Sequence, residues 1–234
     1  GVLLAQMSMS LLSEVFRLDA EPLNENETRR ERSLLRNNAL YIAIASLSVD
    51  AVLAFKLFYN QHLSMASFSF LLLSLFLVLA YGLPPFRNRG FGEFILAVHL
   101  AYVVPSIAYT LQADESHRFL VITIPLTFLA FAYFIVLDFP AFAADQKFNR
   151  TSFLTRLSWE RVVPLHNIFV LFAYIFFALL PLVGLSFSLI WPAFLTLPFA
   201  IFQVFQPRNI SLGAPASWTM LTATARSVFG LTTD

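Results

Sequence analysis

Two short stretches gather acidic residues at the ends of apolar runs. One reads Ser13-Glu14-Val15-Phe16-Arg17-Leu18-Asp19-Ala20-Glu21, the other Asp138-Phe139-Pro140-Ala141-Phe142-Ala143-Ala144-Asp145-Gln146-Lys147. Carboxylate oxygens grouped in this way are the ligands that Mg²⁺ takes. Each stretch is followed by a basic segment, whose side chains can hold anionic oxygens. The repetition hints at an internal duplication around one cavity.

Other residues with chemical capacity lie inside apolar runs. His99 and His166 could ligate the magnesium of a chlorin or the iron of a haem, or could simply be hydrogen-bonded between helices. Asp50 and Lys56 share one run. Charges in lipid can mark an ion path, which opens a transporter reading. The plainer reading has Lys56 snorkelling to an interface near Tyr59 and Asp50 meeting a polar partner on a neighbouring helix. His62 and His117 fall in short connections and read as solvated. With no cysteine in the chain, disulfides, thiolate metal sites, iron–sulfur clusters and cysteine nucleophiles are excluded.

The elements that must position these residues are set by composition. Hydrophobic residues make up 58% of the chain, charged residues 12%, and the mean hydropathy is +0.72. Soluble domains carry roughly 25% charged residues, so the solvent for this much apolar surface must be lipid. The net charge of +1 argues against a nucleic-acid partner. Six runs are long enough for a bilayer-spanning helix: Ala39–Tyr59, Ser64–Leu83, Gly92–Leu111, Phe119–Leu137, Val163–Leu182 and Ser186–Phe205. Gly1–Phe16 is a seventh, shorter run. It begins without a signal peptide and reads as the end of a helix that started upstream. The runs are continuous rather than alternating, which excludes a β-barrel. The expected fold is therefore an all-α polytopic transmembrane bundle of about seven spans, forming a single domain over residues 1–234. Pro215–Gly230 is too polar to span, and reads as an interfacial segment or the stump of a further helix.

The connections are unequal. Short ones lie at Asn60–His62, Gln112–Arg118 and Gly184. Long polar ones cover Arg17–Asn38, Pro84–Phe91, Asp138–Val162 and the residues from Gln206 onward. All the lysines and arginines except Lys56 and Arg118 fall in the long set, so the positive-inside rule places those loops in the cytoplasm. The Arg29-Arg30-Glu31-Arg32 run could meet anionic lipid, but with Glu25, Glu27 and Glu31 beside it, it reads as a solvated loop.

The order of helix, acidic motif, two helices, Pro-Pro basic loop, two helices and second acidic motif resembles the UbiA superfamily of intramembrane prenyltransferases. The loop Tyr81-Gly82-Leu83-Pro84-Pro85-Phe86-Arg87-Asn88-Arg89-Gly90-Phe91-Gly92-Glu93 is similar to the Pro-Pro loop of menaquinone-type members. Asp138 to Lys147 is similar to the family's second acidic stretch, D-x-x-D-x-E-x-D-R. Thr151 and Arg156-Leu157 sit where the family has a Thr-Leu and an Arg-Leu-Gly. The resemblance implies a UbiA-like fold whose first helix lies upstream and whose last is missing or shortened. It implies transfer of a polyprenyl group from its diphosphate to an aromatic acceptor, a quinone or chlorophyll precursor, with Mg²⁺ as cofactor. On this mapping Glu14, Glu21, Asp138 and Asp145 are the metal-ligand positions, and Arg87, Arg89 and Lys147 the diphosphate-binding candidates.

The chain departs from that pattern where the chemistry is concentrated. The central aspartate of the first motif is replaced by Arg17, a fixed positive charge. The inner acids of the second are replaced by Ala141 and Ala143, and the customary arginine after its last aspartate is Gln146. Arg17 could pair with Asp138 or Asp145 and put a salt bridge where a metal ion belongs. Three functions are therefore open. A catalytically degenerate member would bind an isoprenoid-tailed quinone, carotenoid or chlorin beside other membrane subunits. An active Mg²⁺-dependent prenyltransferase would use the surviving acids. A small transporter would use Asp50 and Lys56.

Overall fold

Backbone in hydrocarbon must satisfy its own hydrogen bonds, and the apolar runs do so as helices. The computed structural model describes residues 2–16, 28–60, 63–83, 90–112, 117–147, 151–213 and 215–233, without the side chains of 117–119 and 211. The long helices are α1 (Val2–Val15), α2 (Arg29–Tyr59), α3 (Met65–Gly82), α4 (Gly92–Thr110) and α5 (Thr123–Asp138). Short helices α6 (Phe142–Lys147) and α7 (Phe153–Leu157) follow. The chain then forms α8 (Trp159–Leu179), α9 (Phe187–Phe194), α10 (Leu197–Ser211) and α11 (Trp218–Thr233). No strand occurs among the described residues. Six segments are long and apolar enough to cross a bilayer: α2, α3, α4, Leu120–Asp138, Trp159–Val183 and Phe187–Ile210, with α1 a shorter apolar helix. The all-α membrane architecture read from hydropathy is the observed one, and these segments correspond to the six full runs expected.

Two stretches expected to be polar connections are helical. The Arg17–Asn38 loop becomes helix from Arg29, so α2 begins well before Ala39. Thr28 and Glu31 form a capping box there: Glu31 N donates to Thr28 Oγ1 (3.3 Å), and Thr28 N donates to Glu31 Oε2 (3.0 Å). Arginine, glutamate and leucine are good helix formers, and the cap satisfies the end that hydropathy could not detect. Of the Pro215–Gly230 segment, the part from Trp218 is helical, as the reading of a further helix expected. This helix, α11, buries Leu221, Thr224, Ala225 and Val228, spaced as one helical face, and packs on α5 and α10. Small residues let this polar helix approach its neighbours closely.

The core has three clusters, two of them around α5 and α8. The first joins α1 to α4 and contains Met9, Leu12, Ala43, Val78, Ile95 and Val103. The other two extend to α11. In the first, α2 buries Ala43, Ser46 and Asp50, a stripe of small and polar residues at helical spacing. Ser8 Oγ donates to Ala43 O (3.3 Å) from α1, which packs along that stripe. At the end of α3, Gly82 lies so close to α1 that a Cβ there would stand 2.6 Å from Leu12 Cβ.

Candidate functional site

Successive spans reverse direction, so the carboxyl ends of α1, α3 and α5 lie on one side of the bundle with the start of α8. The described acidic residues of the two motifs, Glu14, Asp138 and Asp145, belong to this side. Glu14 is exposed near the end of α1. Asp138 is the last residue of α5 and is half-buried. The chain turns over Phe139, which is buried against Trp159 at a ring separation of 4.4 Å. The amide of Ala141 donates to Asp138 O (3.1 Å), and that of Asp145 to Ala141 O (2.8 Å), which starts α6. Asp145 is buried, while Ala143 and Lys147 are exposed. Arg17, Glu21, Arg87 and Arg89 lie outside the described residues.

The segment after the second acidic motif is locked to the end of the Pro-Pro loop. Ser152 and Thr155 cap α7 reciprocally: Ser152 N donates to Thr155 Oγ1 (2.8 Å) and Thr155 N to Ser152 Oγ (3.2 Å). The Glu93 carboxylate accepts the Phe153 amide at Oε1 (3.1 Å). Its Oε2 is buried and has no hydrogen-bond partner among the described residues. Gly90 has φ +69°, and a Cβ there would meet Ser152 O at 2.8 Å. Arg156 lies over the Phe91 ring, 4.7 Å from its centroid. Residues of two distant loops thus form one rim.

Ser158 links α7 to α8 with φ 66° and ψ 162°. Side chains with a Cβ rarely adopt this conformation, and its cost is of order 1–3 kcal/mol. Its hydroxyl donates to Glu160 Oε2 (2.6 Å). Nothing in the residue type signals this backbone, since serine is common in ordinary turns.

Both intramembrane histidines are buried and bonded to neighbours. His99 Nε2 lies 2.9 Å from Ser74 Oγ on α3, and its Nδ1 has no hydrogen-bond partner among the described residues. It opens a π turn, His99–Val103, inside α4. His166 Nδ1 lies 2.9 Å from Asn167 Oδ1, and Nε2 lies 2.9 Å from Gln203 Nε2 on α10. Gln203 was not singled out in the sequence, although a glutamine deep in an apolar run was the available signal. Beside this pair, an apolar groove of about 410 Å³ opens between α8 and α10, lined by residues that include Val170, Leu171, Tyr174, Ala200 and Val204. Asp50 is buried, and Lys56 is exposed near the end of α2.

With this geometry in place, the comparison with family models is specific: that of the UbiA prenyltransferase family matches residues 1–225. The chain belongs to this family. No curated protein and no solved structure matches it. A UbiA-type reaction would call for Mg²⁺ ions that neutralise a diphosphate, and such ions need a near-octahedral shell of oxygens. The described residues hold no group of three or more histidines, aspartates and glutamates that could bind a metal. The alanines at 141 and 143 remove the inner donors between Asp138 and Asp145. Of the four carboxylates that the resemblance maps to the metal, Glu14, Asp138 and Asp145 do not form such a group, and Glu21 lies outside the described residues.

Proposed function

We propose that this UbiA-family protein binds an isoprenoid-tailed molecule, a quinone, carotenoid or chlorin pigment, without transferring a prenyl group. It does so as an accessory subunit of a membrane bioenergetic complex, with its basic loops in the cytoplasm. The observation that carries this reading is the pair Ala141 and Ala143, set between two aspartates where the family places acids. The apolar groove between α8 and α10 supports it, because a tail can lie there whatever becomes of the polar chemistry. The tail would leave lipid rather than water, so close packing, not the hydrophobic effect, must supply the preference.

The deciding experiment has two arms. Protein purified gently from native membrane should carry an isoprenoid lipid and co-purify with other membrane subunits. Incubation with geranylgeranyl or longer diphosphates, Mg²⁺ and aromatic acceptors should yield no prenylated product. Metal-dependent product that Asp138→Ala or Asp145→Ala abolishes would overturn the reading and establish the enzyme instead. Retention of Asp138 and Asp145 is what favours that second reading.

A further inference from the structure

The polar side chains between α8 and α10 form a chain of fixed direction. Gln203 Nε2 can only donate, so His166 Nε2, 2.9 Å away, accepts. The proton of the neutral imidazole is then on Nδ1, which donates to Asn167 Oδ1 (2.9 Å). His166 is left with neither a lone pair nor a proton for a ligand. Asn167 is left with its Nδ2 donors, which meet no acceptor among the described residues. This amide is half-buried and lines the apolar groove of about 410 Å³.

The described walls of the groove offer no second donor. Tyr174 is the other polar one. Thr196 Oγ1 donates to Ala193 O (2.7 Å), so the Tyr174 hydroxyl, 2.8 Å from Thr196 Oγ1, gives its proton to that oxygen. Those walls include no lysine, arginine or histidine, so a diphosphate would find no counter-charge there. The bonds His166–Gln203 and Tyr174–Thr196 fix α8 and α10 as antiparallel. The groove therefore runs from Asn167 and Phe205 at one end to Tyr174 and Leu197 at the other. That is about 10 Å, at about 1.5 Å per residue.

Depth narrows the occupant. On the same rise, Asn167 stands about 6 Å inside the apolar run Val163–Leu182. An unpaired amide in hydrocarbon is costly. A fitting molecule is neutral, brings an acceptor oxygen below the headgroup layer and continues as an apolar tail. A chlorin or haem would need the lone pair of His166, which Gln203 already occupies. A hydrocarbon carotenoid would leave the amide unpaired. A phospholipid keeps its carbonyls at the hydrocarbon edge with its headgroup. A quinone ring meets all three conditions, and Phe205 offers it an aromatic face.

We infer that this groove binds the ring of an isoprenoid quinone, one carbonyl of which accepts a hydrogen bond from Asn167 Nδ2 while the tail runs toward Tyr174. Under the isoprenoid-binding reading, on which this site rests, the ligand is a quinone rather than a carotenoid or chlorin. The test uses the full chain in neutral detergent with a menaquinone of four isoprene units. Infrared difference spectra, with each ring carbonyl isotopically labelled in turn, should show one stretch lowered by hydrogen bonding and the other as in detergent alone. Two unshifted bands would overturn the inference without any variant. Asn167→Leu should restore the lowered band and weaken binding about fivefold, the usual contribution of one hydrogen bond. An unchanged spectrum and affinity would refute the role of Asn167. Val204→Phe, which fills the groove and keeps the polar side chains, should abolish binding. If it fails to fold by circular dichroism, Ile201→Trp replaces it. Undiminished binding by the filled variant would place the quinone elsewhere, so the site would fall and the isoprenoid reading would stand. Displacement by equimolar phosphatidylcholine would assign the groove to a phospholipid and overturn the site. β-Carotene and chlorophyll should bind more weakly than the quinone. Tighter binding of either would sink the quinone alone, whereas a parent protein that holds none of the three would sink both readings.

Discussion

Glu93 and Phe153 are sixty residues apart in sequence, and one hydrogen bond of 3.1 Å from the Phe153 amide to the Glu93 carboxylate joins them. The bond fixes the amino end of α7 to the start of α4. Glu93→Ala should therefore destabilise the protein by about 1–3 kcal/mol, the range for leaving a buried donor unpaired. Thermal unfolding in detergent measures it. A melting temperature unchanged from the parent protein would show that the rim holds without this bond.

Ser158→Gly should do the opposite. Glycine adopts the positive φ of this junction without a Cβ clash, so about 1–2 kcal/mol of strain is released, less what is lost with the hydroxyl bond to Glu160. The same unfolding measurement should show a rise. Ser158→Ala, which loses the hydroxyl and keeps the strain, should show none.

Gly82→Ala should cost about 1–3 kcal/mol, the usual penalty for overpacking. The added Cβ would meet Leu12 Cβ at 2.6 Å, and no rotamer of leucine moves that atom. Leu12→Ala should accordingly fail to rescue the variant. A double variant as stable as Leu12→Ala alone would show that the helices slide apart freely.

Opposite ends of the bundle should face opposite compartments. The chain has no cysteine, so Lys147→Cys and Asn60→Cys each introduce a single thiol. In right-side-out vesicles a membrane-impermeant maleimide should label the thiol at 60 and not that at 147, because positive residues favour the cytoplasm. Labelling of both from outside would refute the orientation.

Hydropathy was enough for the spans because lipid makes continuous apolar runs and helices nearly synonymous. It failed at Arg29–Asn38, where a capping box and good helix formers extend α2 past the end of its apolar run. It left two readings open for α11, whose buried face is made of small residues as well as Leu221 and Val228. The acidic motifs were legible by residue type, and so was the loop ending in Glu93. The docking of that loop on Ser152 and Phe153 was not, because it depends on a backbone amide and on the φ of Gly90. For His99 and His166 both readings were open in the sequence. The partners Ser74, Asn167 and Gln203 are known only once the helices are packed.

The π turn at His99–Val103 has a consequence for how this gene can change. The Val104 amide reaches back to His99 O, so the turn holds one residue more than an α turn would. Before it, Glu93, Ile95 and Ala97 are buried; after it, Ser106, Ile107 and Thr110 are, and Ser67 Oγ donates to Thr110 O from α3 (3.0 Å). A one-codon deletion within the turn would restore a regular helix and rotate everything beyond it by about 100°. Ser106 and Thr110 would swing away from α3. The span's length is thus fixed to the single residue, and reading-frame-preserving deletions should be far rarer here than substitutions.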